Sequence, residues 1–242
     1  AVAARIARAG PSRLVVNAHH RGVQVDEVAR RLPLPTTVTH EPEILGTAGG
    51  GAFAREALAT DGPVLVHNGD ILADLDLRAL IDAHADDVLA TLAVRPRYDD
   101  AGRVGLDAKG FVARLRDVRF GDEVRSADFC GVQIIGATLR ARLPVSGCLV
   151  GDAYIPALAA GGRLRAAPLL EHFDDIGTPS AYLAANLRWL GPRPSWRHAS
   201  AEVDARVDLA QSVVGAGAQV AGAGALPRCV VWPGARATAP LS

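Results

Sequence analysis

The chain has no methionine and a single lysine, Lys109, among its 242 residues. One lysine leaves few candidates for a catalytic amine, and positive charge falls to arginine, whose planar guanidinium suits bidentate contacts to phosphate. Neither sign of charge dominates, since Lys+Arg and Asp+Glu number 26 each. Such a chain has no global basic field, so neither nucleic acid nor a membrane surface is expected as a partner, and an anionic substrate has to be held locally. Cysteine is scarce: Cys130, Cys148 and Cys229 fit neither a CxxC pair nor a metal-ligand spacing, which reads as three reduced thiols in a cytoplasmic protein. No apolar run approaches the roughly 20 residues of a membrane span, and no signal peptide opens the chain. Apolar residues are plentiful, 49% against 21% charged, which disfavours disorder and predicts a compact core. The length predicts one large domain, or a large one and a small one. Val2–Ala9 before Gly10-Pro11 reads as the second half of a helix, so the chain is expected to continue upstream of Ala1.

The stretch Val64-Leu65-Val66-His67-Asn68-Gly69-Asp70 organises the rest. Its unbroken apolar start predicts a strand buried on both faces in the middle of a parallel sheet, one that delivers Asn68, Gly69 and Asp70 to the crevice at its carboxyl end. Asn-Gly-Asp is equally the chemistry of a plain turn. Around it, Leu14–Asn17 reads as a strand, Gln24–Leu32 as a helix and the residues near Val38 as a strand. Gly46–Gly51 follows as a loop that enters a helix over Ala52–Leu58. Asp76 is the expected cap of a helix over Leu77–His84, and Val88–Val94 a second buried strand. Val104–Leu106 and Phe111–Leu115, separated by the turn-like Asp107-Ala108-Lys109-Gly110, predict a hairpin, Phe129–Ile135 a strand containing Gly131, and Asp152 the cap of a helix over Ala153–Ala160. Thr178-Pro179 starts a helix over Ser180–Leu190. Strands alternating with helices predict a doubly wound, mostly parallel α/β sheet.

Three features point to a phosphate-bearing nucleotide. Gly46-Thr47-Ala48-Gly49-Gly50-Gly51 exposes backbone N–H groups at a helix start, where an anion is favoured. It matches neither the dinucleotide fingerprint nor the P-loop spacing. Asp70 ends the central strand, and Asp175 precedes a second helix start; two such carboxylates suit Mg²⁺, which completes its shell with substrate phosphates and water. His19 and His20 end a strand near the same crevice and are read as structural, because magnesium does not favour imidazole.

Four motifs in order carry a family resemblance: Glu41-Pro42 with Leu45-Gly46-Thr47-Ala48-Gly49; Val66-His67-Asn68-Gly69-Asp70; Phe129-Cys130-Gly131-Val132; and Asp175-Ile176-Gly177-Thr178-Pro179 running on to Asn186. Together they resemble the sugar-1-phosphate nucleotidyltransferases, or nucleotide-sugar pyrophosphorylases. The mannose-1-phosphate guanylyltransferase-like and N-acetylmuramate-1-phosphate uridylyltransferase-like members are nearest in character. The resemblance implies a GT-A-like nucleotidyltransferase domain joining a nucleoside triphosphate to a sugar 1-phosphate with release of pyrophosphate. It implies that Asp70 and Asp175 bind Mg²⁺ and act in catalysis, that Gly46, Thr47, Ala48 and Gly49 contact the nucleoside, and that Asn68 and Gly69 line the same crevice. Gly131 then meets the sugar, Gly105 lines its pocket, and Glu41 reads the base. A carboxylate there accepts from N1–H and N2–H of guanine, which leans toward GTP, with mannose 1-phosphate or a related sugar. The family's opening glycine-rich loop is absent, and its Glu-Lys-Pro element stands here as Arg116-Asp117-Val118. An upstream segment bearing arginine and lysine is therefore expected to supply positive charge over the triphosphate. The same resemblance leaves open a non-catalytic regulatory protein that senses nucleotide sugars.

Residues 1–190 are thus read as the nucleotidyltransferase domain and 191–200, opening on Gly191-Pro192-Arg193-Pro194, as a linker. In 201–242, Val214, Val220, Leu226 and Trp232 recur every six residues between small ones. That spacing predicts a short hexapeptide-repeat left-handed β-helix with those four side chains inward, and a possible surface for homo-oligomers. No histidine lies among the repeats, which counts against a hexapeptide acyltransferase.

Overall fold

The computed structural model describes residues 2–99 and 101–240. The chain divides into two compact units, Ala1–Phe173 and Asp174–Ser242. In the first, strands β1 (Leu14–Ala18) and β2 (Thr36–His40) pair in parallel as a sheet of their own. The main sheet is drawn from β3 (Val64–His67), β5 (Ala90–Arg97), β6 (Val104–Leu106), β7 (Val112–Leu115), β8 (Val118–Arg119), β9 (Arg125–Ile135) and β10 (Leu164–Ala167), with the short β4 (Ile71–Ala73) following β3 in the chain. Its order is β10-β5-β9-β6-β7-β8. The 11-residue β9 has β5 along one edge, while β6 and β3 share the other, β6 at Arg125–Ala127 and β3 at Val132–Ile135.

This corrects the expected doubly wound, mostly parallel sheet. Among the described residues of the sheet only β10 and β5 pair in parallel; every pair involving β9, β6 or β7 beyond that is antiparallel. The α/β class holds, but β3 is not a doubly buried central strand: all four of its residues are half-buried, and its described ladder partner is β9 alone. A four-residue apolar run fits either environment, and periodicity does not distinguish them. Alternation still works along β3, where Val64 and Val66 pack into a core containing Leu92, Ile135 and Tyr154 while Leu65 packs into one containing Leu80, Val132 and Ile134. Full burial of Leu80 and Leu92 is worth roughly 1.5–3 kcal/mol each.

Local punctuation is as expected in several places. The Asp76 carboxylate accepts from the N–H groups of Arg78 and Ala79 to start the helix Leu77–Asp82. The β6–β7 turn closes through Asp107, whose Oδ1 accepts from the N–H groups of Lys109 and Phe111 at 2.8 Å each. Two segments differ. Gly46–Phe53 is itself a helix, followed by a short one at Arg55–Leu58, instead of a loop leading into Ala52–Leu58. Asp152 lies inside a π-helix, Leu149–Tyr154, and accepts backward from Cys148 N–H at 2.7 Å rather than capping a helix forward.

In the second unit the Thr178 hydroxyl accepts from Ala181 N–H and caps the helix Pro179–Leu190. That helix sits in this unit and not with the preceding domain: Tyr182 meets Trp232 edge-on at 5.8 Å and Trp189 meets Trp196 at 5.5 Å. The segment expected to be a linker contains the strand Ser195–Arg197, because the two prolines end at 194 and Ser-Trp-Arg is free to pair with Ser212–Val214. Three parallel ladders follow, each residue pairing 17 positions on, as Ser195 with Ser212, Glu202 with Gln219 and Val207 with Gly224. Val214, Ala218, Val220, Leu226 and Val231 fill the core between them. Trp232 is corrected by this count: it is 58% exposed, and Val231 takes the inward place because it pairs with Val214. A 17-residue coil is one short of three hexapeptides, so the period slips by one after Leu226.

Candidate functional site

At the carboxyl end of β3 the chain turns through Asn68-Gly69-Asp70. Asn68 N–H donates to Gly131 O at 3.0 Å, and Asn68 O receives Ile71 N–H at 3.4 Å. Gly131 has φ +79°, and a Cβ there would stand 2.6 Å from Asn68 Nδ2, so glycine is needed both for the backbone and for the approach. It lies where the β5–β9 register shifts, a bulge that lets β9 bend toward the turn. Gly69 and Asp70 are exposed at the tip. Burial holds the neighbouring His67 imidazole below its usual range, against the opposing pull of the Asp70 charge.

A second constellation surrounds Glu41. Its Oε1 accepts from Asn17 Nδ2 at 2.7 Å and its Oε2 from Leu45 N–H at 3.2 Å. The same Asn17 amide donates to Gly50 O at 2.8 Å. Glu41 therefore pins the entry to the glycine-rich helix, and each carboxylate oxygen keeps acceptor capacity for a further donor. The glycines of that helix are engaged by the chain itself. Gly147 N–H donates to Leu45 O at 2.7 Å, and Ala48 N–H donates to Gly147 O at 2.9 Å. Leu149 N–H donates to Thr47 Oγ1 at 2.9 Å. A Cβ at Gly46 would lie 2.5 Å from Gly147 O, and one at Gly49 2.6 Å from Ser146 Cα. Ala48, Gly49 and Gly50 are buried, while Gly46 and Thr47 face solvent.

The structure thus brings Glu41 together with Gly46–Gly49, and Asn68–Asp70 together with Gly131. Gly105 belongs to neither group; it pairs with Arg114 in the β6–β7 hairpin, under the Glu123 carboxylate that Arg114 Nε holds at 2.7 Å. Asp175 lies in the second unit, exposed, its Oδ1 accepting from Gly177 N–H at 3.0 Å. Among the described residues no set of three His, Cys, Asp or Glu side chains is gathered to hold a metal ion. An exposed carboxylate such as Asp70 fits a magnesium ion whose remaining ligands are phosphate and water.

Two contributors were not read from the sequence. Asn17 ties Glu41 to Gly50, and only its place at the end of β1 hinted at this. Arg116, with φ +54° in the β7–β8 turn, sends Nη2 to within 3.4 Å of Cys148 Sγ and so brings a cation to the Thr47 seam. A positive φ at arginine leaves no mark in a sequence.

No family model matches the chain. It is 26% identical over 188 residues to mannose-1-phosphate guanyltransferase beta-A of Xenopus laevis, covering 73% of this chain. It is 24% identical over 197 residues to a probable mannose-1-phosphate guanylyltransferase 3 of Arabidopsis thaliana, covering 75% of this chain and 58% of that protein. The chain spans about half the length of the curated relatives it matches, 51% of the Xenopus laevis protein. Its fold is similar to crystal structures of HddC from Yersinia pseudotuberculosis. The TM-score is 0.60 at 19% identity, over 75% of this chain and 80% of that one. For the structure with GMP-PN bound it is 0.61 at 20% identity, over 77% and 82%.

Proposed function

Because the chain is related to the sugar-1-phosphate nucleotidyltransferases, we propose that it transfers a nucleoside monophosphate from a nucleoside triphosphate to a sugar 1-phosphate, giving a nucleotide sugar and pyrophosphate. GTP with mannose 1-phosphate or a related sugar is the pair this reading favours, since the named relatives are mannose-1-phosphate guanylyltransferases and the HddC neighbour binds GMP-PN. The observation that carries it is the bond from Asn68 N–H to Gly131 O, which brings two motifs far apart in the chain together beside Asp70.

In this reading the sugar phosphate oxygen attacks the α-phosphorus in line, and the protein contributes positioning and electrostatics. Glu41, already oriented by Asn17 and Leu45 N–H, accepts from the guanine edge. The exposed Gly46 and Thr47 border the nucleoside, and Gly131 presents backbone to the sugar. Arg116 contributes the cation that the family's Lys would otherwise bring. A magnesium ion held at Asp70 would supply charge neutralisation for the phosphates, its other ligands being phosphate and water. In this reading the carboxyl-terminal ladders wind as a left-handed β-helix through which copies of the chain associate, and the protein works in the cytoplasm. No described helix is long and apolar enough to cross a membrane.

The test is pyrophosphate release with GTP, UTP or dTTP, each paired with mannose 1-phosphate and other sugar 1-phosphates in the presence of magnesium. Release with GTP and mannose 1-phosphate is expected. Binding of nucleotide sugars without release from any pair would establish the non-catalytic sensor instead.

A further inference from the structure

We propose that the pocket of about 440 Å³ beside the β6–β7–β8 ladder binds a small phosphate monoester, gripped by Arg114, Arg119 and the Ser126 hydroxyl, at a site apart from Glu41 and Asp70. The register of the sheet builds it. Arg97 of β5 stands opposite Ser126 of β9, Ser126 opposite Gly105, Gly105 opposite Arg114, and Arg114 opposite Arg119, so one row crosses five strands on one face. Gly105 has no side chain, and the Glu123 carboxylate held by Arg114 takes the place that a Cβ would fill there.

The arginines of that row are engaged differently. Arg97 is taken up by carboxylates, Asp99 at 2.6 Å and Asp128 at 3.2 Å. Arg114 directs Nε to Glu123 at 2.7 Å, Nη1 to Arg116 O and Nη2 to Gly102 O, which fixes its plane and leaves one N–H on each terminal nitrogen. The Arg119 side chain is 64% exposed and reaches Glu123 Oε1 only at 3.5 Å. Arg125 borders the pocket, its guanidinium 3.5 Å from the Asp107 and Ala108 carbonyls, at the limit of a hydrogen bond. Arg114, Arg119 and Arg125 thus stand against the single carboxylate of Glu123, and the balance is positive. Ser126 is the independent observation. It lines the pocket, it is 8% exposed, and its hydroxyl has no hydrogen-bond partner among the described residues. A buried hydroxyl without a partner is destabilising, and an oxyanion in the pocket gives it an acceptor.

Arginine forks match phosphate oxygens in pairs, and the volume is that of a site for one small molecule. The place is separate from the Asn68–Asp70 turn. Along β5, Val94 stands opposite Phe129 and Arg97 opposite Ser126, a separation of three residues or roughly 10 Å, and Gly131 lies further still. A phosphate in this pocket is therefore a different one from any beside Gly131, and the inference does not rest on nucleotidyl transfer.

The test is calorimetric titration of the intact protein, without magnesium, with glucose 6-phosphate, inorganic phosphate and sulfate in turn. One saturable site is expected, weaker as salt rises and tighter for glucose 6-phosphate than for the bare ions. Arg119→Gln is expected to weaken it at least about tenfold with an unchanged melting temperature, and Asp70→Asn to leave it as it was. Ser126→Ala also weakens binding, yet the unliganded variant melts no lower than the wild type, because what it removes is an unpaired hydroxyl. Absence of saturable binding overturns the proposal, and so does equal binding of sulfate, phosphate and glucose 6-phosphate, which marks a charged surface only. Binding that survives Arg119→Gln, or that Asp70→Asn abolishes, overturns it as well.

Discussion

Replacing two glycines of one helix, Gly49 and Gly51, separates close packing from conformational freedom. In Gly46–Phe53 neither residue has a positive φ, so alanine at both gains the same helix preference, about 1 kcal/mol. What differs is what the methyl meets. At Gly49 it would stand 2.6 Å from Ser146 Cα and 2.7 Å from Val145 O, both main chain, whereas at Gly51 its nearest neighbour is Leu143 Cδ1 at 3.0 Å, the end of a side chain. Main chain at that distance has to move, and the segment it belongs to holds the Gly147–Leu45 and Ala48–Gly147 hydrogen bonds at 2.7 and 2.9 Å. Overpacking of this kind costs roughly 1–3 kcal/mol, so Gly49→Ala is expected to lose up to about 2 kcal/mol net and Gly51→Ala to be near neutral or slightly stabilised. A gap near 2 kcal/mol corresponds to roughly 4–8 °C between the two melting temperatures in a protein of this size. Circular dichroism melts and urea midpoints on both variants read it directly. A Gly49→Ala protein as stable as Gly51→Ala would refute the idea that the glycines exist to admit residues 145–147.

Asp70→Asn should leave the melt unchanged and abolish most pyrophosphate release, since the amide keeps the shape and loses the charge; turnover near the wild-type rate would remove Asp70 from the chemistry. Asn17→Ala strips two hydrogen bonds from the Glu41–Gly50 pin and is expected to lower stability by about 1–3 kcal/mol and raise the nucleotide KM more than it lowers kcat. In the coil, Leu226→Ala should cost roughly 2–5 kcal/mol in a urea titration and Trp232→Ala only about 1, the reverse order restoring the uninterrupted six-residue period. His67 binds its proton less readily folded than unfolded, so its contribution is full above the unfolded value and falls as pH drops below about 6.5; the urea midpoint of His67→Gln should decline less between about pH 7 and pH 5.5 than that of the wild type.

What the sequence made legible was local. The caps at Asp76 and Thr178 and the Asp107 turn depend on residues two to four positions apart, and each stands where the side-chain type placed it. Sheet direction was not legible, because a short apolar run has no polarity of its own: β3 reads the same whether its neighbour is a crossover strand or the antiparallel β9. The slip from Leu226 to Val231 was hidden for a related reason. A hexapeptide count assumes that every side of the coil is equal, while ladder pairing at 17 residues shortens one of them.

The candidate site was legible as a set of residues and illegible as a set of partners. Gly46–Gly51 reads in sequence as bare backbone held open for a ligand, the usual inference from glycine beside a helix start. Glycine equally permits a second stretch of chain to come close, and here the stretch from Val145 to Leu149 does so, consuming the Ala48 N–H and the Thr47 hydroxyl. One segment does not distinguish the two uses, because the competitor lies about a hundred positions away. The consequence bears on function. Any ligand at this helix meets the exposed Gly46 and Thr47 at its rim, with Glu41 already set by Asn17 and with Arg116 and Cys148 behind Thr47, rather than an empty anion cradle. Recognition at such a rim depends on the 145–149 segment keeping its place, so substitutions there that touch no ligand should alter nucleotide affinity through the seam.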